Sequence, residues 1–299
     1  MTPEIARTTA IHLFAPEEAT RRARPLAIDY FLKNKANQVT VEILDAQGKI
    51  IQSFVGPEPK KEQEEPDNPF QPPPAKVGLE AGLNRFVWDL RYPGPTKFPG
   101  MIFWSAPTNG PLALPGSYQV RVTAGGESRT KPFKISLDPR MKTTQAELQE
   151  QFDLAIKVRD RVSEANEGVI AVRKVRDQIN DRLEKTKFAE RDTARKPMTD
   201  ALERLRAKLT EVEEAVYQVR NRSGQDPLNY PIKLNNKIAH LAYVIESADA
   251  KPTDQTYAAF KELSGELQAE LEALNKSMTT DVPAVNKLLE RKKITPISR

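Results

Sequence analysis

The chain has 299 residues with a charged fraction of 29%, long enough for two domains with separate cores, and no apolar run reaches the roughly 18–20 residues that span a bilayer. Its net charge of +5 is dispersed, without a Lys/Arg block interleaved with aromatics, so nucleic-acid binding is not expected. The absence of cysteine excludes disulfides, thiolate metal sites and Cys nucleophiles, and leaves the redox compartment open.

Residues 1–24 lack the apolar core and small-residue cleavage site of a signal peptide. The chain is therefore either cytoplasmic or a piece whose leader lies elsewhere. From about 25 to 139 the hydrophobic period is two. Ile28, Tyr30 and Leu32 alternate, as do Val39, Val41 and Ile43, then Phe86, Trp88 and Leu90, then Tyr118, Val120 and Val122, then Phe133, Ile135 and Leu137. Alternation of this kind predicts strands with one buried and one wet face. Asp45-Ala46-Gln47-Gly48 and Gly125-Gly126 read as hairpin turns, the latter suited to the positive φ values of a primed turn. About seven short strands without intervening helices predict an antiparallel sandwich rather than a βαβ sheet.

The Pro-rich, charged stretch beginning GPEPKKEQEEPDNPFQPPP is read as a mobile insertion over 56–78, because it has too little apolar surface to offset its ordering entropy. Trp88-Asp89 closes one strand, and Leu114-Pro115-Gly116-Ser117-Tyr118 launches the next. Between them lies a Pro/Gly-rich excursion.

After Asp138-Pro139-Arg140 the period changes. Thr144 and Glu147 form a T-x-x-E capping box. Apolar residues then recur in threes and fours from Leu148 to Leu183, interrupted at Arg176, predicting a helix of about 40 residues and roughly 60 Å. Three further stripes follow: Met198 to Val219, Leu234 to Ile245, and Phe260 to Leu274. Connections of roughly 8–12 residues favour antiparallel neighbours, hence an antiparallel four-helix bundle over 140–280. The overhang of the first helix leaves self-association through the helices open. Asp281 and Pro283 read as the N-cap and first turn of a short terminal helix within 281–299, and Arg291-Lys292-Lys293 as a solvated tail. The fold class is thus α+β in two domains: an Ig/fibronectin-III-like β-sandwich, then the bundle.

No nucleophile elbow, phosphate loop, zinc-binding H-E-x-x-H, EF-hand or dinucleotide fingerprint occurs. His240 lacks the preceding Glu of a bundle metal site, position 237 being Lys, and is read as a partly buried structural histidine. Asp29, Asp45, Asp89 and Asp138 sit in the strand half, and nothing pairs any two across a scissile bond. No catalytic residue, metal or cofactor is therefore assigned. Among the aromatics, Phe86 and Trp88 read as core, and Phe103 and Trp104 as capping the sandwich end. Tyr92, Phe98 and Trp104 are the candidate ligand-stacking residues, since they lie in or beside the Pro/Gly-rich loop.

The Gly82-to-Asp89 strand, followed by Pro115-Gly116-Ser117-Tyr118-Gln119-Val120-Arg121-Val122, resembles the Ig-like domain of the flagellar hook-capping family. The ordered succession HLFAPEEATRRAR, GLNRFVWDLRYPG, GPLALPGSYQVRV, LDPRMKTTQAELQEQFDLAIKVRDRVSEAN and SGQDPLNYPIKLNNKIAHLAYVIESADAKPTDQTY spans nearly the whole chain. It resembles the C-terminal region of bacterial sortilin-like BNR/Asp-box proteins, a family labelled glycosyl hydrolase. The resemblance implies an exported parent, periplasmic or extracellular, with an N-terminal β-propeller, and residues 1–24 as the linker leaving it. No Asp box is present here, so any hydrolase activity would belong to that propeller and no family catalytic residue maps onto this chain. The expected function is a non-catalytic accessory or interaction region. The alternatives are a carbohydrate-binding module using the loop aromatics and a glycoside hydrolase in its own right. Implied partners are the parent's propeller, and a polysaccharide or another protein.

Overall fold

A computed structural model describes residues 10–57, 76–187 and 195–298. The core of the expected Pro-rich insertion, 58–75, lies outside the described residues. The chain is mixed α and β, and its contacts divide it into two units. One, the strand unit, comprises residues 1–94, 109–153 and 248–251; the helical unit comprises 95–108, 154–247 and 252–299.

Among the described residues, eight strands form two sheets: β1 (Ile11–Leu13), β2 (Ala19–Thr20), β3 (Leu26–Leu32), β4 (Val39–Asp45), β5 (Ile50–Gly56), β6 (Gly82–Trp88), β7 (Gly116–Ala124) and β8 (Glu127–Ser136). A three-stranded sheet has the order β1-β3-β6, and a five-stranded sheet the order β2-β8-β7-β4-β5. Pairing is antiparallel except for β2, which lies parallel to β8, a departure from the wholly antiparallel expectation. Strand structure also begins at Ile11, inside the stretch 1–24 that the resemblance assigned to a linker. Ile11 and Leu13 are buried, and a two-residue alternation is too short to stand out as a periodic signal.

The alternating residues bury as their period requires. Ile28, Tyr30, Phe86 and Trp88 from one sheet share a hydrophobic cluster with Val41, Ile43, Val120, Val122 and Phe133 from the other. Burying each such side chain is worth roughly 1.5–3 kcal/mol before entropy is counted. Trp88 meets Tyr118 and Phe133 edge-on, and its indole N–H donates to the Arg91 carbonyl at 3.0 Å. Asp89 accepts the Arg91 amide at 3.1 Å, the expected role of a strand-end carboxylate.

The hairpins close as their sequences direct. Asp45 Oδ1 accepts the amides of Gln47 and Lys49 at 3.0 and 2.9 Å. Gly125 and Gly126 take φ of 58° and 82° between the paired Ala124 and Glu127, a conformation open to glycine without strain. Pro132, mid-strand in β8, costs no interior ladder bond because β2 covers only Ile135 and Ser136 on that side. The excursion after Trp88 leaves and returns through a tight neck. Tyr92 N–H donates to Pro111 O at 2.9 Å, and Ala113 N–H to Leu90 O at 2.7 Å. A Cβ at Gly110 would stand 2.0 Å from the Tyr92 carbonyl oxygen, so the neck admits glycine alone there.

The helices are α1 (Gln145–Lys187), α2 (Lys196–Val216), α3 (Leu234–Ile245), α4 (Asp254–Lys276) and α5 (Val282–Arg291). The capping box forms: the Thr144 amide donates to Glu147 Oε2 at 2.8 Å, and the Glu147 amide to Thr144 Oγ1 at 3.3 Å. In the helical unit one core draws Val158, Val162, Val169, Val172 and Ile179 of α1 together with Leu202, Leu205 and Leu209 of α2, Ile238 of α3, Leu267 of α4 and Leu289 of α5. Arg176, the interruption in the α1 stripe, instead pairs with buried Glu213 of α2 beside Arg173, whose Nε lies 2.6 Å from that carboxylate. Neighbouring Val175 takes the core position.

One expectation at the end of the chain fails. Asp281 is not an N-cap: its backbone is helical, its side chain makes no capping bond, and a π-helical turn over Ser277–Asp281 carries α4 straight into α5. Its carboxylate reaches Lys208 at 2.8 Å instead. Arg291 and Lys293 are exposed and Lys292 half-exposed, while beyond them Ile297 is 3% exposed within the helical core.

Candidate ligand-contact loop

The three aromatics proposed to contact a ligand fall in both units. Tyr92 belongs to the strand unit and meets the Phe152 ring edge-on at 4.9 Å. Burial pushes its phenol above the usual range. Phe98 and Trp104 belong to the helical unit, and Phe103 packs against the core of that unit. Phe98 is a core residue, 5% exposed, set edge-on against Tyr217 at 4.9 Å with the Arg173 guanidinium 4.6 Å from its ring centroid. Trp104, like Tyr92, is half-buried.

The loop 95–108 that carries Trp104 is clamped by side chains along its length. Near its start, Thr96 donates its amide to Ser163 Oγ at 3.0 Å, and its carbonyl accepts from Asn166 Nδ2 at 2.7 Å. In the middle, the Tyr217 hydroxyl accepts the Ile102 amide at 3.1 Å and donates to Gly100 O at 3.2 Å. Burial raises the Tyr217 phenol, and the Ile102 amide partly offsets this. At Trp104 the grip is bidentate: Asn236 Oδ1 accepts its amide at 2.7 Å, and Asn236 Nδ2 donates to its carbonyl at 2.9 Å. One helical turn on, His240 Nδ1 lies 2.6 Å from Ser105 O. A carbonyl can only accept, so Nδ1 carries the proton. Ser105 holds a left-handed φ of 46°, a strained conformation for a non-glycine residue.

These clamps depend on polar side chains placed deep in the helical unit. Asn166 and Asn235 are both 0% exposed and bonded to each other at 3.0 Å, and Asn236 is 4% exposed. A buried amide left unmatched costs free energy, and each of these is matched to the loop, to a neighbouring amide or to backbone. Sequence reasoning missed the trio. The only available signal was the placement of asparagines on apolar helix faces, where they are unfavourable unless they serve a partner. The arrangement holds one aromatic, Trp104, at a defined position on a rigid helix face. His240 serves the loop as a structural histidine.

Among the described residues, no cluster of His, Asp and Glu stands ready to hold a metal ion, and no helix is long and apolar enough to cross a membrane.

No protein-family model matches the chain, and no curated protein matches it. Three solved structures show partial likeness. The BSP domain of a biofilm associated protein is 11% identical over 42% of this chain and 15% of its own, with a TM-score of 0.25. CopC from Methylosinus trichosporium OB3b is 12% identical over 44% of this chain and 99% of its own, with a TM-score of 0.24. A structure described as pT26-6p is 12% identical over 94% of this chain and 49% of its own, with a TM-score of 0.20. This chain thus spans a small part of the biofilm protein's length. Scores this low carry no argument about fold or function.

Proposed function

We propose that this chain is a non-catalytic accessory region of an exported propeller protein, with an Ig-like β-sandwich as its interaction module and an antiparallel helix bundle as its spacer. The Tyr118 hydroxyl, which donates to Leu114 O at 2.8 Å beside buried Trp88, supports the Ig-like reading by its likeness to a tyrosine corner. One observation carries the interaction role. The outward face of the three-stranded sheet exposes Leu83 (68%) and Val87 (41%) on edge strand β6, on either side of the Asp29–Arg85 ion pair. Edge strands with exposed apolar side chains are sites where another chain docks. The partner is the propeller implied by the family resemblance. The test supplies that propeller as a separate polypeptide: wild type should bind it, and Leu83→Asp with Val87→Asp should weaken binding at least tenfold. Equal binding by the double variant would overturn the role of this face.

A second reading, a carbohydrate-binding module, is favoured by the clamped presentation of Trp104, since aromatic planes stack on sugar faces and preorganised ones bind at lower entropic cost. Of its three aromatics Phe98 is a core residue, and Trp104 is the one this reading rests on. A polysaccharide-binding panel in which Trp104→Ala abolishes retention would establish it. Unchanged retention would discard it.

A further inference from the structure

The segment after α5 is held in a way that defines a recognition site. Every backbone polar group from Thr295 O to Ser298 O is met by a side chain of α1 or α5. Arg182 donates to Thr295 O and Pro296 O at 3.3 and 3.1 Å. Asn286 grips Ile297 on both sides, accepting its amide at 2.7 Å and donating to its carbonyl at 2.9 Å. Gln178 does the same for Ser298, accepting the amide at 2.9 Å and donating to the carbonyl at 2.8 Å, while the Ser298 hydroxyl adds a bond to its Oε1 at 3.0 Å. Pro296 has no N–H to satisfy. Between these polar grips, the Ile297 side chain is buried against the helical core.

This combination is how extended peptides are recognised: the backbone is matched group by group, and one apolar anchor supplies selectivity. The chain reaches the groove by reversing at Lys293, a non-glycine residue at φ 55°, where the Ile294 amide bonds back to Leu289 O. A left-handed lysine is a strained hinge, and opening it relieves that strain. We propose that α1 and α5 form a binding site for an extended peptide of the Thr-Pro-Ile-Ser type. Residues 295–298 occupy it in cis, and the same pattern from another polypeptide takes their place when this strap is displaced.

A tethered strap competes at an effective concentration of about millimolar, so an external peptide should bind wild type weakly. The probe is a fluorescein-labelled hexapeptide of sequence Lys-Ile-Thr-Pro-Ile-Ser, followed by anisotropy. In the full chain, Ile297→Asp unseats the strap's anchor while leaving Gln178, Arg182 and Asn286 in place. This variant should bind the peptide at least tenfold more tightly than wild type. Adding Asn286→Ala should remove the gain, and a peptide with Asp at the anchor should not bind. A folded Ile297→Asp chain that binds no peptide at millimolar concentration, or whose binding ignores Asn286→Ala, overturns the proposal. Should Ile297→Asp fail to fold, hydrogen exchange on wild type decides. Ile297 and Ser298 amides exchanging much faster than the Leu289 amide of α5 support a strap that opens alone. Equal rates overturn it.

Discussion

Arg21 and Asp249 form an ion pair in which both side chains are almost wholly buried, at 1% and 2% exposure. The guanidinium also donates to Ala113 O and Gln151 Oε1, each at 3.1 Å, and the carboxylate takes a second arginine, Arg22, at 2.6 Å. Gln151 in turn donates to Ala248 O and Ala250 O at 2.7 and 3.0 Å, and the Thr143 hydroxyl to Asp249 O at 2.5 Å. The pair is the centre of a network that ties the short 248–251 segment into the strand unit.

Asp249→Ala should therefore destabilise the strand unit by about 3–5 kcal/mol, because it leaves a buried guanidinium without its counter-charge. Removing both members, as Arg21→Met with Asp249→Ala, should cost less than Asp249→Ala alone. Urea unfolding of the three chains, followed by circular dichroism, checks the order.

Asn236→Ala leaves the Trp104 amide and carbonyl without their shared partner. The expected loss is about 1–3 kcal/mol, with faster exchange of the Trp104 amide as the local signature. Asn236→Asp keeps the acceptor and loses the donor, so it should retain part of the protection. Exchange measured by mass spectrometry distinguishes the three chains.

Leu209, 0% exposed between the helices, tests the independence of the two units. Leu209→Asp forces a carboxylate into an apolar core and should cost the helical unit ~4 kcal/mol or more. Calorimetry should show the helical transition lost and that of the strand unit retained. A single transition that shifts as a whole would mean that the two unfold together.

Asp138 gives the chain an acid-sensitive element. The Arg140 guanidinium and the Arg140 backbone N–H beside it hold its carboxyl down to about 2, below the ordinary 3.8. A depressed native value means that the charged form is favoured by folding. The resulting stability is present above about pH 4 and is lost as pH falls toward about 2. Asp138→Asn should flatten the stability profile between those values. Because Arg140 is exposed, salt should flatten the wild-type profile as well. Chemical denaturation at a series of pH values, with and without added salt, measures both effects.

Much of the local structure was legible. The alternation through Phe86 and Trp88, the Gly125-Gly126 turn and the Thr144–Glu147 box all rest on interactions within a few residues of each other. The stripes of α1 and α2 name most of their own buried residues. Failures came where a local signal was outweighed. Asp281 and Pro283 form a credible helix start, yet the buried Val282, Val285 and Leu289 keep the chain helical through Ser277–Asp281. Phe98 looked like a loop aromatic because its neighbours are Pro and Gly, and the helical core claimed it.

What the sequence alone determined, then, is where the longer strands and helices of this chain form and which face of each turns inward, since hydrophobic period and turn chemistry act over a few residues. What the tertiary structure alone decided is which polar groups meet. Arg21 with Asp249, Asn236 with Trp104, and Asn286 with Ile297 are partners only because folded elements bring them together. The physical reason is that a buried charge or amide is tolerable only beside a partner with matching geometry, and no periodicity in the chain encodes that partner's position.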